Sequence, residues 1–135
     1  MLKPLLFACA VVLFALTASS ASGPAPQEAA PAPASGKTNP VKPTPESLER
    51  AKRIYGMDCA MCHGDNGDGK TDVAQGMQLT LGDWTDAKTL AGKPDGDLFN
   101  LIRNGKGKMP GEDVGRAKDH EVWNIILYIR GMAKK

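Results

Sequence analysis

The sequence predicts an all-α fold of about four helices. Apolar residues recur at helical spacing in several stretches, residues that favour helix ends flank these stretches, and no run alternates as a strand would. The hydrophobic fraction is 41% and the charged fraction 24%, as in ordinary soluble globular proteins. The net charge of +2 gives no signal for a nucleic-acid partner, and we expect none.

The first helix is predicted to begin after Thr44, whose hydroxyl can cap it, with Pro45 at the first helical position. We expect Gly56 to loosen or end this helix, because glycine weakens a helix interior. Its apolar face is formed by Leu48, Ala51, Ile54 and Tyr55.

Three more helices are predicted downstream: a short one at 73–77, one at 94–104 and one at 119–130. The last helix has a strongly apolar face and is followed by Gly131, which suits a helix end. The residues of that face are Val122, Trp123, Ile126, Leu127 and Ile129.

The chain divides into three parts. Residues 1–21 resemble an export signal, with a basic residue, an apolar stretch and small residues before the expected cleavage. An uncleaved anchor at 5–21, forming a membrane tether, and a lipoprotein signal at Cys9 are the alternatives. Residues 22–43 form a Pro/Ala-rich linker with little to bury, so we expect disorder there. Residues 44–135 form the folded domain, which the export signal and both alternatives place in the periplasm or on the outer face of the cytoplasmic membrane.

The motif Cys-x-x-Cys-His at Cys59, Cys62 and His63 is typical of covalent attachment of one haem c. Each thiol can form a thioether with a vinyl group, and the imidazole can bind the iron. A thioredoxin-like pair would need a βαβ context, and a zinc site would need a second cysteine pair. A structural disulfide would leave the histidine without a role.

Met109 is the best candidate for the second axial ligand of the iron. It lies in a loop rich in glycine, where the backbone can approach a haem closely, and Pro110 stiffens the position. A thioether is a soft ligand that raises the reduction potential. Met77 is the rival candidate, because its loop could also border the haem.

Together these motifs resemble a class I monohaem c-type cytochrome of the small bacterial type. The resemblance spans 48–131 and rests on the haem motif with Gly64, on Leu98-Phe99-Asn100-Leu101-Ile102-Arg103-Asn104-Gly105, on Met109-Pro110, and on Val122-Trp123 through Tyr128-Ile129-Arg130. It implies that the first and last helices cross at a small residue, Ala51, beside two aromatic residues, Tyr55 and Tyr128. It also implies that Trp84 donates to a haem propionate, although plain core packing would explain this residue equally well.

One feature departs from that family. Many relatives carry a proline about a dozen residues after the histidine ligand, and its carbonyl accepts from the imidazole; here the region reads Ala74-Gln75-Gly76. We still expect some backbone carbonyl to orient His63. Arg103 is a candidate for a propionate contact or for a solvated face. A basic cluster near the methionine loop either steers an acidic partner or is simply solvated: Lys106, Lys108, Arg116 and Lys118.

The predicted function is one-electron transfer rather than enzyme catalysis, because an iron with two protein ligands offers no site for a substrate. We expect a monomer that makes transient contacts with redox protein partners. One alternative is a haem subunit or tethered haem domain of a larger dehydrogenase or oxidase complex. Another is a haem protein that binds small ligands or acts as a peroxidase.

Overall fold

The computed structural model describes residues 36–133. In this range six helices are formed and no β-sheet, so the predicted all-α fold is confirmed. The signal peptide predicted for 1–21 and most of the linker predicted for 22–43 lie outside the described residues. The helices are α1 (Pro45–Asp58), α2 (Ala60–His63), α3 (Asp72–Gly76), α4 (Ala87–Leu90), α5 (Asp95–Asn104) and α6 (Asp119–Arg130).

Helix α1 begins as predicted and ends later than predicted. The Thr44 hydroxyl accepts from the Ser47 backbone N–H at 3.2 Å, and the Ser47 hydroxyl accepts from the Thr44 N–H at 2.9 Å. The helix continues through Gly56 to Asp58. The prediction of a helix end at this glycine was therefore wrong. A glycine disfavours a helix by about 1 kcal/mol, which is less than the burial of one large side chain contributes. Ile54 and Tyr55 supply that burial.

The core lies where α1 packs against α6. Ala51 is completely buried at this contact and brings no side chain that would hold the helices apart. Asn124 is the polar residue in the apolar interface, and it is satisfied: it accepts from the Ser47 hydroxyl at 2.9 Å and donates to the His120 carbonyl at 2.7 Å. From α6 the core takes Val122, Trp123, Ile125, Ile126 and Ile129.

Residues 36–133 form six helices where about four were predicted, because α2 and α4 are only four residues long each. Helix α2 contains Cys62 and His63 of the haem motif, and α4 lies in a stretch where no helix was predicted. Asp86 caps α4 by accepting from the Lys88 N–H at 2.9 Å, and Leu90 anchors it in the core. A four-residue helix has too few positions to show an apolar period, so only its cap could have indicated it.

The end of the predicted linker contacts the domain. The Lys37 carbonyl accepts from the Gly96 N–H at 3.0 Å, and the Asn39 side chain donates to the Trp123 carbonyl at 3.0 Å. Val41 packs on the hydrophobic core. Residues 37–41 therefore lie on α5 and α6. Within residues 36–133, every helix is too short or too polar to serve as a membrane span.

Candidate functional site

The two cysteines lie at the junction of α1 and α2. Cys59 ends α1, where its N–H donates to the Tyr55 carbonyl at 2.9 Å. Its own carbonyl accepts from the N–H groups of Cys62 and His63, at 3.2 and 2.9 Å. Both thiols are free and half-buried. The motif is therefore held by backbone hydrogen bonds within a few residues of itself.

Gly64 lets the chain leave this turn. Its φ of +82° is open to glycine at little cost, and a Cβ here would lie 2.8 Å from a carboxylate oxygen of Asp68. The Gly64 carbonyl accepts from the buried Tyr55 hydroxyl at 2.5 Å. Burial raises the pKa of Tyr55 far above its usual range, so the hydroxyl remains a donor.

An apolar cavity opens beside the motif, and its wall is almost entirely non-polar. Cofactor sites typically have such a lining, with a few polar groups placed in it. Of the five residues predicted for the site, four line the cavity, and Cys62 is the one that does not. The complete lining is Tyr55, Cys59, His63, Trp84, Leu98, Leu101, Ile102, Met109, Ile125 and Ile129.

His63 is half-buried at the wall of the cavity. Burial lowers the pKa of its imidazole, which favours the neutral form that binds metals. Its Nδ1 is buried and has no hydrogen-bond partner among residues 36–133. The expectation that a backbone carbonyl orients this ring is therefore not met in the described part of the chain. The ring is instead stacked on Trp84, with centroids 4.3 Å apart and planes 18° apart.

Trp84 joins His63 to an aromatic cluster. Its indole lies 6.3 Å from the Tyr55 ring, which in turn lies 5.4 Å from the Tyr128 ring. The backbone N–H of Trp84 donates to the Gly67 carbonyl at 2.8 Å. This hydrogen bond holds the residue, and with it the indole, close to the haem motif. The propionate contact inferred from the family stays a prediction. The stacking on the imidazole is a contact that the sequence did not suggest.

Met109 reaches the cavity from a tight turn. The backbones of Lys106 and Met109 exchange two hydrogen bonds, at 2.9 and 3.0 Å. Gly105 enters this turn with a φ of +72°, and a Cβ there would collide with the backbone of Met109 and Gly111. Any larger residue at 105 would therefore displace the candidate ligand.

The chain after Met109 is held by Arg103, whose role the sequence did not reveal. Its guanidinium donates to the carbonyls of Glu112 and Ala117, at 2.7 and 2.9 Å, and to the Asp119 carboxylate at 2.8 Å. The Glu112 N–H donates to the Ile102 carbonyl at 2.8 Å. The solvated face suggested for Arg103 is not observed, because the side chain is largely buried and ties this loop to α6. The propionate contact stays a prediction.

The rival methionine does not line the cavity. Met77 is 43% exposed, and its backbone carbonyl accepts from the Lys108 ammonium at 2.8 Å. Met57 and Met61 are more exposed still. Met109 is thus the methionine that the described chain places at the cavity.

The residues present fit a haem. The cavity wall is apolar, and an imidazole, a thioether sulfur and a thiol border the same space. The pKa of Cys59 is raised to about 12, mainly by burial and further by the carboxylate of Glu112 and by Cys62. A thiol with such a pKa stays protonated at neutral pH, which disfavours thioredoxin-like exchange through a reactive thiolate.

The fold and the site together define a c-type cytochrome. The family model described as "Cytochrome C oxidase, cbb3-type, subunit III" matches residues 46–129. The chain belongs to this family, and the resemblance seen in the sequence is confirmed. Membership implies a covalently bound haem c and a role in electron transfer.

Two solved structures are similar to the chain. The c-type cytochrome KustC0563 shares 25% identity with a TM-score of 0.54, over 62% of this chain and 98% of that one. A chain of the reducing HAO-like protein complex Kustc0457/Kustc0458 of Kuenenia stuttgartiensis shares 24% identity with a TM-score of 0.58. That match covers 70% of this chain and 47% of the other, and it shows the fold alone. No curated protein sequence matches the chain.

Proposed function

We propose that this protein is a one-electron carrier with a single haem c, joined to Cys59 and Cys62 and ligated by His63 and Met109. The observation that carries the proposal is that an imidazole from α2 and a thioether from the loop after α5 border one apolar cavity. The sequence holds one Cys-x-x-Cys-His motif, which supports one haem.

The protein contributes ligands and a dry environment. A bound haem supplies an iron that can change its oxidation state by one electron. The side chains of Leu98, Ile102 and Ile125 line the cavity and exclude water from it. A low-dielectric wall disfavours the additional charge of ferric iron, and thioether ligation does the same, so both raise the reduction potential.

We place the protein in the periplasm or on the outer face of the cytoplasmic membrane, because an export signal is predicted for residues 1–21. Its partners in this proposal are redox proteins that it meets transiently as a monomer. The basic side chains Lys106 and Lys108 are exposed beside the turn that holds Met109, which supports contact with an acidic partner surface.

A second candidate function is a haem subunit of a larger redox complex. It is favoured by the name of the family, which is that of an oxidase subunit, and by the similar chain in a multi-protein complex. The chemistry would be the same, with a permanent partner in place of a transient one. Purification from membranes under mild conditions distinguishes the two candidate functions. A stoichiometric second polypeptide would favour the subunit, and a single small haem protein would favour the carrier.

The ligation is tested by Met109→Ala, with Met77→Ala as the matched control. We expect the first change to abolish the methionine–iron absorption band, lower the reduction potential and let carbon monoxide bind the reduced protein. The control should leave all three unchanged, because Met77 lies away from the cavity. An unaltered band in Met109→Ala would refute the ligation. Carbon monoxide binding by the unmodified protein would favour a ligand-binding or peroxidase function instead.

A further inference from the structure

A cluster of charged side chains lies beside Cys59, and the proposed function does not use it. Asp58 and Glu112 are both largely buried, with side chains 8% and 11% exposed. Arg116 is 62% exposed and forms an ion pair with Asp58. The two acidic groups come from different parts of the chain, the end of α1 and the loop after Met109, and they share this one guanidinium.

The Glu112 carboxylate is incompletely neutralised. Arg116 Nε lies 3.8 Å from its Oε1, which is too far for a hydrogen bond. That Oε1 is buried and has no hydrogen-bond partner among residues 36–133. A buried carboxylate with a free oxygen is costly when charged and is relieved by a proton. Burial accordingly raises the pKa of Glu112 above its usual value.

The other charged groups around Glu112 do not remove this imbalance. Arg103 of α5 favours the charged form, but its guanidinium donates to the Glu112 backbone and is already paired with Asp119 of α6. Asp113, the next residue, is negative and favours the protonated form. With Arg116 engaged by Asp58, the cluster as a whole has more negative than positive charge.

The Glu112 carboxylate is also close enough to the Cys59 thiol to interact with it electrostatically. Its carboxylate is the second cause, after burial, of the raised pKa of that thiol. In the mature protein this sulfur would be a neutral thioether joined to the porphyrin. The carboxylate would therefore lie beside a group whose charge changes by one unit on each electron transfer, in surroundings that screen charge weakly.

We propose that Glu112 is a proton-binding site coupled to the haem, so that the protein takes up one proton with each electron; this rests on the proposed function. One electron from a redox protein reduces ferric to ferrous iron, and one proton from solvent forms an O–H bond with the Glu112 carboxylate. Oxidation reverses both events. Ferric iron favours the ionised carboxylate and ferrous iron favours the acid, so no other reactant is needed.

The test is the reduction potential of the mature haem protein between about pH 5 and pH 9, the range over which buried glutamates titrate. In the native chain the potential should fall with pH inside a window, by up to about 59 mV per pH unit, the equivalent of a tenfold change for one electron. Glu112→Gln should be flat across that window, at the potential that the native protein has below it. Glu49→Gln, the same change at an exposed residue, should behave like the native chain.

Two further measurements distinguish Glu112 from other titrating groups. Arg116→Gln removes the shared positive charge, so it should move the window to higher pH. The infrared difference between reduced and oxidised protein should contain a carboxylic acid C=O band that shifts in D₂O and is absent in Glu112→Gln.

The proton proposal is overturned if the native potential does not change with pH, or if Glu112→Gln keeps the native slope, which would assign the proton to a haem propionate. Failure of the proposed function would look different. The matured protein would then carry no covalent haem, or would lack the methionine–iron band that Met109→Ala is expected to remove.

Discussion

The two sides of the cavity are built in different ways. On the histidine side, backbone hydrogen bonds between close neighbours hold the motif, as in the bonds from Cys62 and His63 to the Cys59 carbonyl. On the methionine side, the turn at Met109 is local, but the loop that follows it is held by Arg103, which reaches residues 9 to 16 positions away.

This difference separates attachment from ligation. The histidine side continues a long helix that packs in the core, so its geometry depends on the contact between α1 and α6, the most extensive helix contact among residues 36–133. The methionine side depends on the local turn at Met109 and on a loop that is held by Arg103 and by one backbone hydrogen bond from Glu112 to Ile102. Loops that are fixed by few contacts open at lower free energy than the core does. We therefore expect loss of the attachment residues on the histidine side to abolish haem attachment. Substitutions that loosen the methionine side should expose the iron to external ligands while the haem stays attached.

The largest effect is expected from replacing both thiols. The double change Cys59→Ala with Cys62→Ala removes every thioether that the motif can form, so no haem should remain bonded to the denatured chain. Mass spectrometry and haem staining after denaturing electrophoresis measure this. Met109→Ala is the matched control on the methionine side of the cavity, and it should retain its full covalent haem. Haem bonded to the doubly substituted chain would show that attachment lies elsewhere.

The histidine side is also the side that the sequence predicts well. Cys59, Cys62 and His63 are neighbours in the chain, so their spacing contains most of the geometry. The bounds of α5 and α6 were predicted within a residue, because each has a clear apolar period. The stacking of Trp84 on His63 was not predictable in this way, since it joins residues 21 positions apart through the fold.

A change on the methionine side should have a smaller but distinct effect. Arg103→Met removes three hydrogen bonds that hold the loop, so it should lower the free energy of unfolding by about 2–4 kcal/mol. It should also let carbon monoxide compete with Met109 for the reduced iron. Denaturant unfolding and carbon monoxide titration of the mature protein measure the two effects.

Arg130→Met is the matched control for that variant. Arg130 also makes three hydrogen bonds, to Asp95 at 2.6 Å and to the carbonyls of Leu90 and Lys93 at 3.2 and 2.5 Å. None of these partners lines the cavity. Its loss should destabilise the protein by a similar amount without admitting carbon monoxide. If both variants bind the gas equally, general destabilisation is responsible and the comparison between the two sides fails.

Arg103 and Glu112 also show why the methionine side was only partly predictable. In the sequence, Arg103 is one charged residue at the end of an apolar helix, and Glu112 is one acid in an irregular loop. The residue type alone does not show that either side chain is buried, because long charged side chains are usually exposed. Their roles follow from which carbonyls and carboxylates the fold brings near them, and no local pattern encodes that.

The smallest effect is expected on the histidine side, from Tyr55→Phe. The change removes the hydroxyl that donates to the Gly64 carbonyl and keeps the ring that packs in the core, so unfolding should become easier by about 1–2 kcal/mol. Tyr128→Phe is the control, since within residues 36–133 its hydroxyl makes no hydrogen bond, and it should change stability by less than about 0.5 kcal/mol. Neither variant should bind carbon monoxide when reduced, because the loop at Met109 is untouched. Equal losses in the two variants would mean that the Tyr55 hydroxyl contributes nothing specific, and the exit from the haem motif would then rest on the backbone conformation of Gly64 alone.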